Sequence, residues 1–506
     1  MNDQKRTSGI LFHITSLPGE FGIGTFGKSA KNFVDFLSQC GFSWWQILPL
    51  SPIDNYNSPY KSLSAFGGNI YLIDPQTLYD LKLVTNSDLD SQKIASDYQV
   101  DYEFIKENRK AFFKIAYNNR TPDIIKSMED FSKAQSSWLL DYALYNAIKE
   151  TQNLNNWTQW QNKDLKNRKP SALKKAILEL QDAIDFEIFL QYLFHTQWQD
   201  LKVYANEKGI GFIGDMPIYL DLDSPDVWCN QSYFQLDVDG NPKVVSGVPP
   251  DYFSADGQLW GNPLYNWNTL KKDNYRWWIQ RIQHNLDLYN CVRIDHFRAF
   301  SAYWSVDSKA TTAKDGQWCD GPKMDLFNQV KKSLHLDTPP IIAENLGTLD
   351  QGVYDLLEAT KFKGMSVLQF AFIDNMDNPH LPHNYSNNTM AYTSTHDNNT
   401  LYGWLWELTP DQRAYALDYV GYPQEGESWK EGGYKSPSVH AFIRQLFVSS
   451  AITTMVTIQD LCGYGKDTRM NTPGEAKGNW GFRIPQSAID QIDIDWIKHL
   501  NALSKR

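Results

Sequence analysis

The sequence predicts an α/β protein: a (β/α)8 barrel of the TIM type with large, mainly helical insertions at its C-terminal face. Eight short apolar runs recur along the chain, each ending in polar or charged residues and separated by segments of helical period. Their near-continuous apolar character is that of parallel strands buried on both faces, not the alternation of a half-solvated sheet. The length of 506 residues suits a barrel of about 250 residues enlarged by insertions.

In chain order the runs are Gly9 to His13, Trp44 to Pro49, Gly211 to Asp215, Cys291 to His296, Ile341 to Glu344, Met365 to Phe370, Ala391 to Asp397 and Thr454 to Asp460. Residues 1–80 hold the first strands and a substrate loop. Residues 81–205 are a helical insertion, with an apolar period from Phe104-Ile105 to Phe112-Phe113. A second helical stretch opens after Pro170-Ser171, with Ser171 in the N-cap role, and runs from Ala172 to Lys208, where Gly209 stops it. Residues 206–506 complete the barrel. They carry an irregular insertion at about 217–275, rich in Pro, Gly and Asp, whose Gly247-Val248-Pro249-Pro250-Asp251-Tyr252-Phe253 run reads as a functional lid.

The net charge of −11 argues against a nucleic-acid partner, whose phosphates call for a basic face. Five scattered cysteines without a CxxC pair fit a reducing compartment. The apolar run Ile10 to Ile14 is too short for a signal peptide, and nothing approaches a membrane span. The expectation is a cytoplasmic protein with no membrane partner. With 18 Trp, 27 Tyr and 26 Phe the chain is aromatic-rich, which suits sugar-ring platforms and core packing alike.

In barrel enzymes the catalytic residues sit where strands end. Three runs end in a carboxylate with polar neighbours: Arg293-Ile294-Asp295-His296, Ala343-Glu344-Asn345-Leu346-Gly347 and Thr395-His396-Asp397-Asn398. The strand period of two puts Arg293 with Asp295, Ile342 with Glu344 and Thr395 with Asp397. As the fourth, fifth and seventh strand ends, the three carboxylates would meet at one mouth. Cleaving a glycosidic bond with retention needs a nucleophile and an acid/base about 5–5.5 Å apart. A third carboxylate can stabilise the cationic transition state. Arg293 would keep Asp295 ionised, whereas Glu344 must hold a proton in a more apolar setting. A lone strand-end Asp also serves as a helix cap or ion-pair partner, and Arg293–Asp295 alone reads equally as a structural pair.

These three motifs resemble the strand-end motifs of the α-amylase clan. The text around them resembles its amylomaltase (disproportionating enzyme, 4-alpha-glucanotransferase) branch: Ser16-Leu17-Pro18-Gly19, Ser58-Pro59-Tyr60 with Ser64-Ala65-Phe66-Gly67-Gly68-Asn69, Gly247 to Phe253, Gly257-Gln258-Leu259-Trp260-Gly261-Asn262-Pro263 and Asn479-Trp480. The likeness runs from about residue 9 to about residue 483. It implies Asp295 as nucleophile, Glu344 as acid/base and Asp397 as transition-state stabiliser. Substrate contacts are implied for Tyr60, Arg293, His296, His396, Trp260, Asn479 and Trp480, with Asp374 as a further hydroxyl contact. Asn345 stands where many relatives carry Asp, a change expected to leave the chemistry intact. Implied partners are maltodextrins and other α-1,4-glucans, with glucose as acceptor.

Gly22-Ile23-Gly24-Thr25-Phe26-Gly27 fits G-x-G-x-x-G, but the next run ends Ile47-Leu48-Pro49 without the acid that a dinucleotide ribose needs. His380 and His383 flank Pro382 and lack a third ligand nearby in sequence. The expectation is no cofactor and no metal. An α-glucan hydrolase of the same clan and a non-catalytic glucan-binding barrel stay open as alternatives.

Overall fold

A computed structural model describes residues 5–250, 255–373, 377–422 and 427–506. Eight parallel strands form one sheet: β1 (Thr7–Leu11), β2 (Trp44–Gln46), β3 (Gly211–Met216), β4 (Cys291–Ile294), β5 (Ile341–Ala343), β6 (Gly364–Val367), β7 (Thr389–Tyr392) and β8 (Thr453–Thr457). Their spatial order is β6-β7-β8-β1-β2-β3-β4-β5. The two ends meet through a single parallel bridge between Ile342 and Lys363, so the sheet is nearly closed into a barrel. All eight apolar runs of the sequence are barrel strands.

Alternation along each strand sorts the core into two layers. Ile213, Ile342, Met365, Val367, Met390, Tyr392 and Met455 pack together inside the barrel. Ile10, Trp45, Phe212, Val292, Ala343, Ala391 and Val456 belong to the large outer core. The same period carries Ile213 to Asp215, Cys291 to Arg293 and Asp295, and Ile342 to Glu344. A polar layer therefore lies directly above the apolar plug.

Between β2 and β3 lie the helices Tyr102–Asn118, Pro122–Ala134, Leu139–Thr151, Pro170–Glu179 and Gln181–Glu207. The last stretch differs from its sequence reading. It begins at Pro170, whose fixed φ and missing N–H suit the first helical position, so Lys169 and not Ser171 is the N-cap. It is also broken at Leu180, where φ is −111° and ψ is 17°. Gly209, at φ 78°, follows the end of the second helix.

The span 217–275 also departs from expectation. It is not irregular throughout: Val244–Val248 and Gln258–Pro263 are strands of a four-stranded antiparallel sheet, completed by Ala302–Asp307 and Gln317–Asp320 from beyond β4. Val248 pairs with Gln258 across the segment that holds the anticipated lid. Residues Asp251 to Phe253 of that lid lie outside the described residues. No described helix is long and apolar enough to cross a membrane.

The long helix Gln181–Glu207 grips the loop that follows β2. The buried Gln191 side chain accepts from the Gly68 N–H (2.7 Å) and donates to the Gly68 carbonyl (3.0 Å). One turn and a half later, Gln197 accepts from the Asp74 N–H at 2.7 Å. Replacing Gln191 with Leu strips both partners from a buried peptide. The expected loss is about 2–4 kcal/mol, seen as a lower thermal midpoint and faster proteolysis near residue 68. A parent-like midpoint would show that the loop is anchored by packing alone.

Candidate active site

The site is built on a buried guanidinium. Arg293 Nη1 donates to Asp215 Oδ1 and Oδ2 at 2.7 and 2.6 Å, and Nη2 donates to Asp295 Oδ1 at 2.9 Å. Asp215 and Arg293 are direct neighbours in the β3–β4 register. Burial opposes the Arg293 charge, but Asp215 and Asp295 outweigh it and push its pKa up. Asp215 is fully buried at its side chain, whereas that of Asp295 is 31% exposed and open to the mouth.

Glu344 follows β5, and its main chain is tied to the β4 end: its N–H donates to Ile294, and its carbonyl accepts from Phe297. Its carboxylate accepts the main-chain N–H groups of His296 (2.8 Å) and Leu346 (2.6 Å). Burial raises its pKa. Arg293 opposes the rise, Asp295 reinforces it, and the two N–H groups offset part of it, leaving the group at about 7. Glu344 thus keeps a proton far above the pH at which ordinary carboxyls lose theirs.

Asp397 lies in a loop stapled by Asn398, whose side-chain oxygen accepts from the Thr395 N–H and hydroxyl. Buried Asp460, after β8, anchors the base of that loop through Thr393, Ser394 and the Leu401 N–H. Burial works against the Asp397 charge, but His396 at 3.3 Å, the Asn471 amide at 2.6 Å and Arg293 prevail and hold it at about 2. Arg469 also donates to the Asp397 carbonyl.

Aromatic residues wall the mouth. Ser58 caps the short helical turn Pro59–Lys61, and Asp226 clasps Ser64 and the Ala65 N–H, fixing the loop that presents Tyr60. The Tyr60 hydroxyl donates to Asp215 at 2.7 Å, and its ring stacks on His396 with centroids 4.7 Å apart. Trp480 lies 5.6 Å from Tyr60. On the far wall Trp260 meets His296 edge to face at 4.8 Å. Burial lowers the His296 pKa to about 4 despite Asp295, so its ring is neutral at neutral pH. The Asn479 amide is used within its own loop, by Thr472 and Glu475. Asp374 lies outside the described residues.

The sequence profile of the 4-alpha-glucanotransferase family matches residues 12–488. The chain belongs to the 4-alpha-glucanotransferase family. A 4-alpha-glucanotransferase of Aquifex aeolicus is 43% identical over 484 residues, 95% of this chain and 96% of that one. One from Clostridium butyricum is 42% identical, over 94% and 96% of the two chains. The solved amylomaltase from Streptococcus agalactiae in complex with acarbose superposes with a TM-score of 0.94 at 39% identity, covering 99% of this chain and all of that one.

Asp215, Arg469 and Asn471 are members of the site that sequence reasoning missed. The third apolar run does end at Asp215, but no polar neighbours mark it. Asp215→Ala leaves Arg293 buried with one carboxylate and Tyr60 without its acceptor. Removing one partner of such a buried pair costs about 3–5 kcal/mol. Thermal unfolding should fall sharply for Asp215→Ala and little for Asp295→Asn. Equal effects would mean that Arg293 does not depend on its inner partner.

Proposed function

We propose that this chain cleaves an α-1,4-linked glucan and transfers one segment to the 4-hydroxyl of an acceptor glucan or glucose, with retention of configuration. Family membership over nearly the whole chain supports the transfer activity. The observation that carries the assignment of roles is the contrast among three carboxylates in one mouth: Asp295 paired to Arg293, Asp397 held at about 2, and Glu344 held at about 7.

In the first half-reaction Glu344 gives its proton to the glycosidic oxygen as Asp295 attacks the anomeric carbon. The C–O bond to the leaving sugar breaks, and an ester to Asp295 forms. Asp397 stabilises the positive charge that develops on the sugar ring. In the second half-reaction the acceptor hydroxyl loses its proton to Glu344 and displaces Asp295. Tyr60, His396 and Trp480 form one face of the sugar site, with Trp260 and His296 on the other. Asn479 lines a neighbouring sugar site. Transfer rather than hydrolysis requires that water be kept from the ester while an acceptor sugar is admitted. This aromatic wall is suited to that task. The five free cysteines fit a reducing, cytoplasmic setting.

Incubation with maltotriose as the sole substrate tests the reaction. The expected products are glucose and a ladder of longer chains. Steadily rising reducing ends with only shorter products would mean hydrolysis, and no change would mean a non-catalytic barrel.

Role assignment is tested with an α-glucosyl fluoride, whose leaving group needs little acid help. Glu344→Gln should lose turnover of maltotriose by about 100-fold or more yet still form an ester on Asp295 from the fluoride, seen by peptide mass spectrometry. Asp295→Asn should form none. An adduct on Glu344 or Asp397 would reverse the roles.

A further inference from the structure

The barrel closes imperfectly, and the fault lies beside Glu344. Between β5 and β6 the ladder amounts to the Ile342–Lys363 bridge, with the Ala343 N–H donating to the Lys363 carbonyl at 2.8 Å. In a continued parallel ladder the next amide of β6, that of Met365, would donate to a main-chain carbonyl of β5. It donates instead to the side-chain oxygen of Asn345, at 2.6 Å. Gly364 makes room for this: a Cβ there would lie 3.1 Å from Asn345 Oδ1 and 3.2 Å from Nδ2, tighter than ordinary contact. Outside the plugged seam is a cleft of about 480 Å³ lined by Asn345, Tyr354, His380 and Asn388.

Asn345 is also the residue between Glu344 and Leu346, whose N–H holds the Glu344 carboxylate at 2.6 Å. We infer that Asn345 is a positioning residue for the acid/base: by taking the Met365 N–H it fixes the turn that aims the Leu346 amide at Glu344. The inference rests on the acid/base reading of Glu344.

The sign of the effect follows from the groups around Glu344. From β4 it faces Arg293, Asp295 and the His296 N–H; from its own strand end, the Leu346 N–H. The β4 groups do not depend on Asn345. The Leu346 amide does, and it favours the ionised carboxylate. Freeing it makes Glu344 hold its proton to higher pH while loosening its aim.

The experiment is the pH profile of kcat and kcat/KM on maltotriose for the whole chain. Asn345→Ala should lower plateau kcat by about 10- to 100-fold, as misplacement of a catalytic group does, and move the alkaline limb upward. Asn345→Asp keeps an acceptor for Met365 and should restore plateau kcat to within about threefold of the parent. Gly364→Ala crowds Asn345 without deleting it, and should give a weaker loss with the same upward shift. It also stands in if Asn345→Ala does not fold. Tyr354→Phe, in the same cleft but without a link to Leu346, should leave the limb in place. Parent-like kcat and limb in both Asn345→Ala and Gly364→Ala would overturn the proposal, whatever happens to thermal stability. So would an Asn345→Asp variant no more active than Asn345→Ala. The acid/base reading itself fails separately, if Glu344→Gln turns over maltotriose normally.

Discussion

Asp215 and Asp295 come from adjacent strands into successive layers of the barrel mouth, and without Arg293 between them their charges would go uncompensated. Arg293 resolves this because a guanidinium offers several donors in a fixed plane, so one side chain serves two carboxylates on different sides. The inner partner has no solvent and the outer one has some. That asymmetry divides the labour: Asp215 secures the cation within the fold, and Asp295 faces the mouth with its charge already compensated. Main-chain neighbours in the strand register become partners in the ion pair, so the barrel itself supplies the geometry.

The remaining carboxylates show how environment rather than residue type sets proton affinity. Glu344 and Asp397 are both half-buried at the mouth, and desolvation alone would raise both. Asp397 escapes because His396 and Asn471 bond its oxygens from outside the barrel ladder. Glu344 accepts hydrogen bonds from only two neutral N–H groups, and Asp295 works against the help that Arg293 gives its ionisation. The result spans about 2 to about 7 within one cleft. Separations of this kind divide acid from base and stabiliser in carboxylate chemistry.

Strand ends were legible in the sequence because a period of two is a local signal, and the polar tripeptides after β4, β5 and β7 break an apolar run abruptly. Asp215 was not, since Met216, Pro217 and Ile218 follow it and nothing polar marks the spot. Asn471 and Arg469 were invisible for another reason: they lie 74 and 72 residues from the group they hold, and only the pairing of β7 with β8 brings the two chain segments together. The antiparallel sheet failed similarly. Two of its short strands precede β4 and two follow it, so neither half looks like a sheet alone. The break at Leu180 carries no Gly or Pro, and periodicity passes straight through it.

Tyr60 joins the recognition surface to this electrostatic core. Its ring face belongs to the aromatic wall with His396 and Trp480, while its hydroxyl donates to Asp215, the inner partner of Arg293. Burial and the nearby carboxylates push the phenol pKa well up, so it stays a neutral donor throughout the working range. On the proposed reading, a sugar packed on that ring presses on a side chain hydrogen-bonded to the ion-pair network that prepares Asp295. The loop bearing Tyr60 is in turn fixed by Asp226 and by Gln191 from the long insertion helix. The helical insertion between β2 and β3 therefore bears on the nucleophile through one tyrosine.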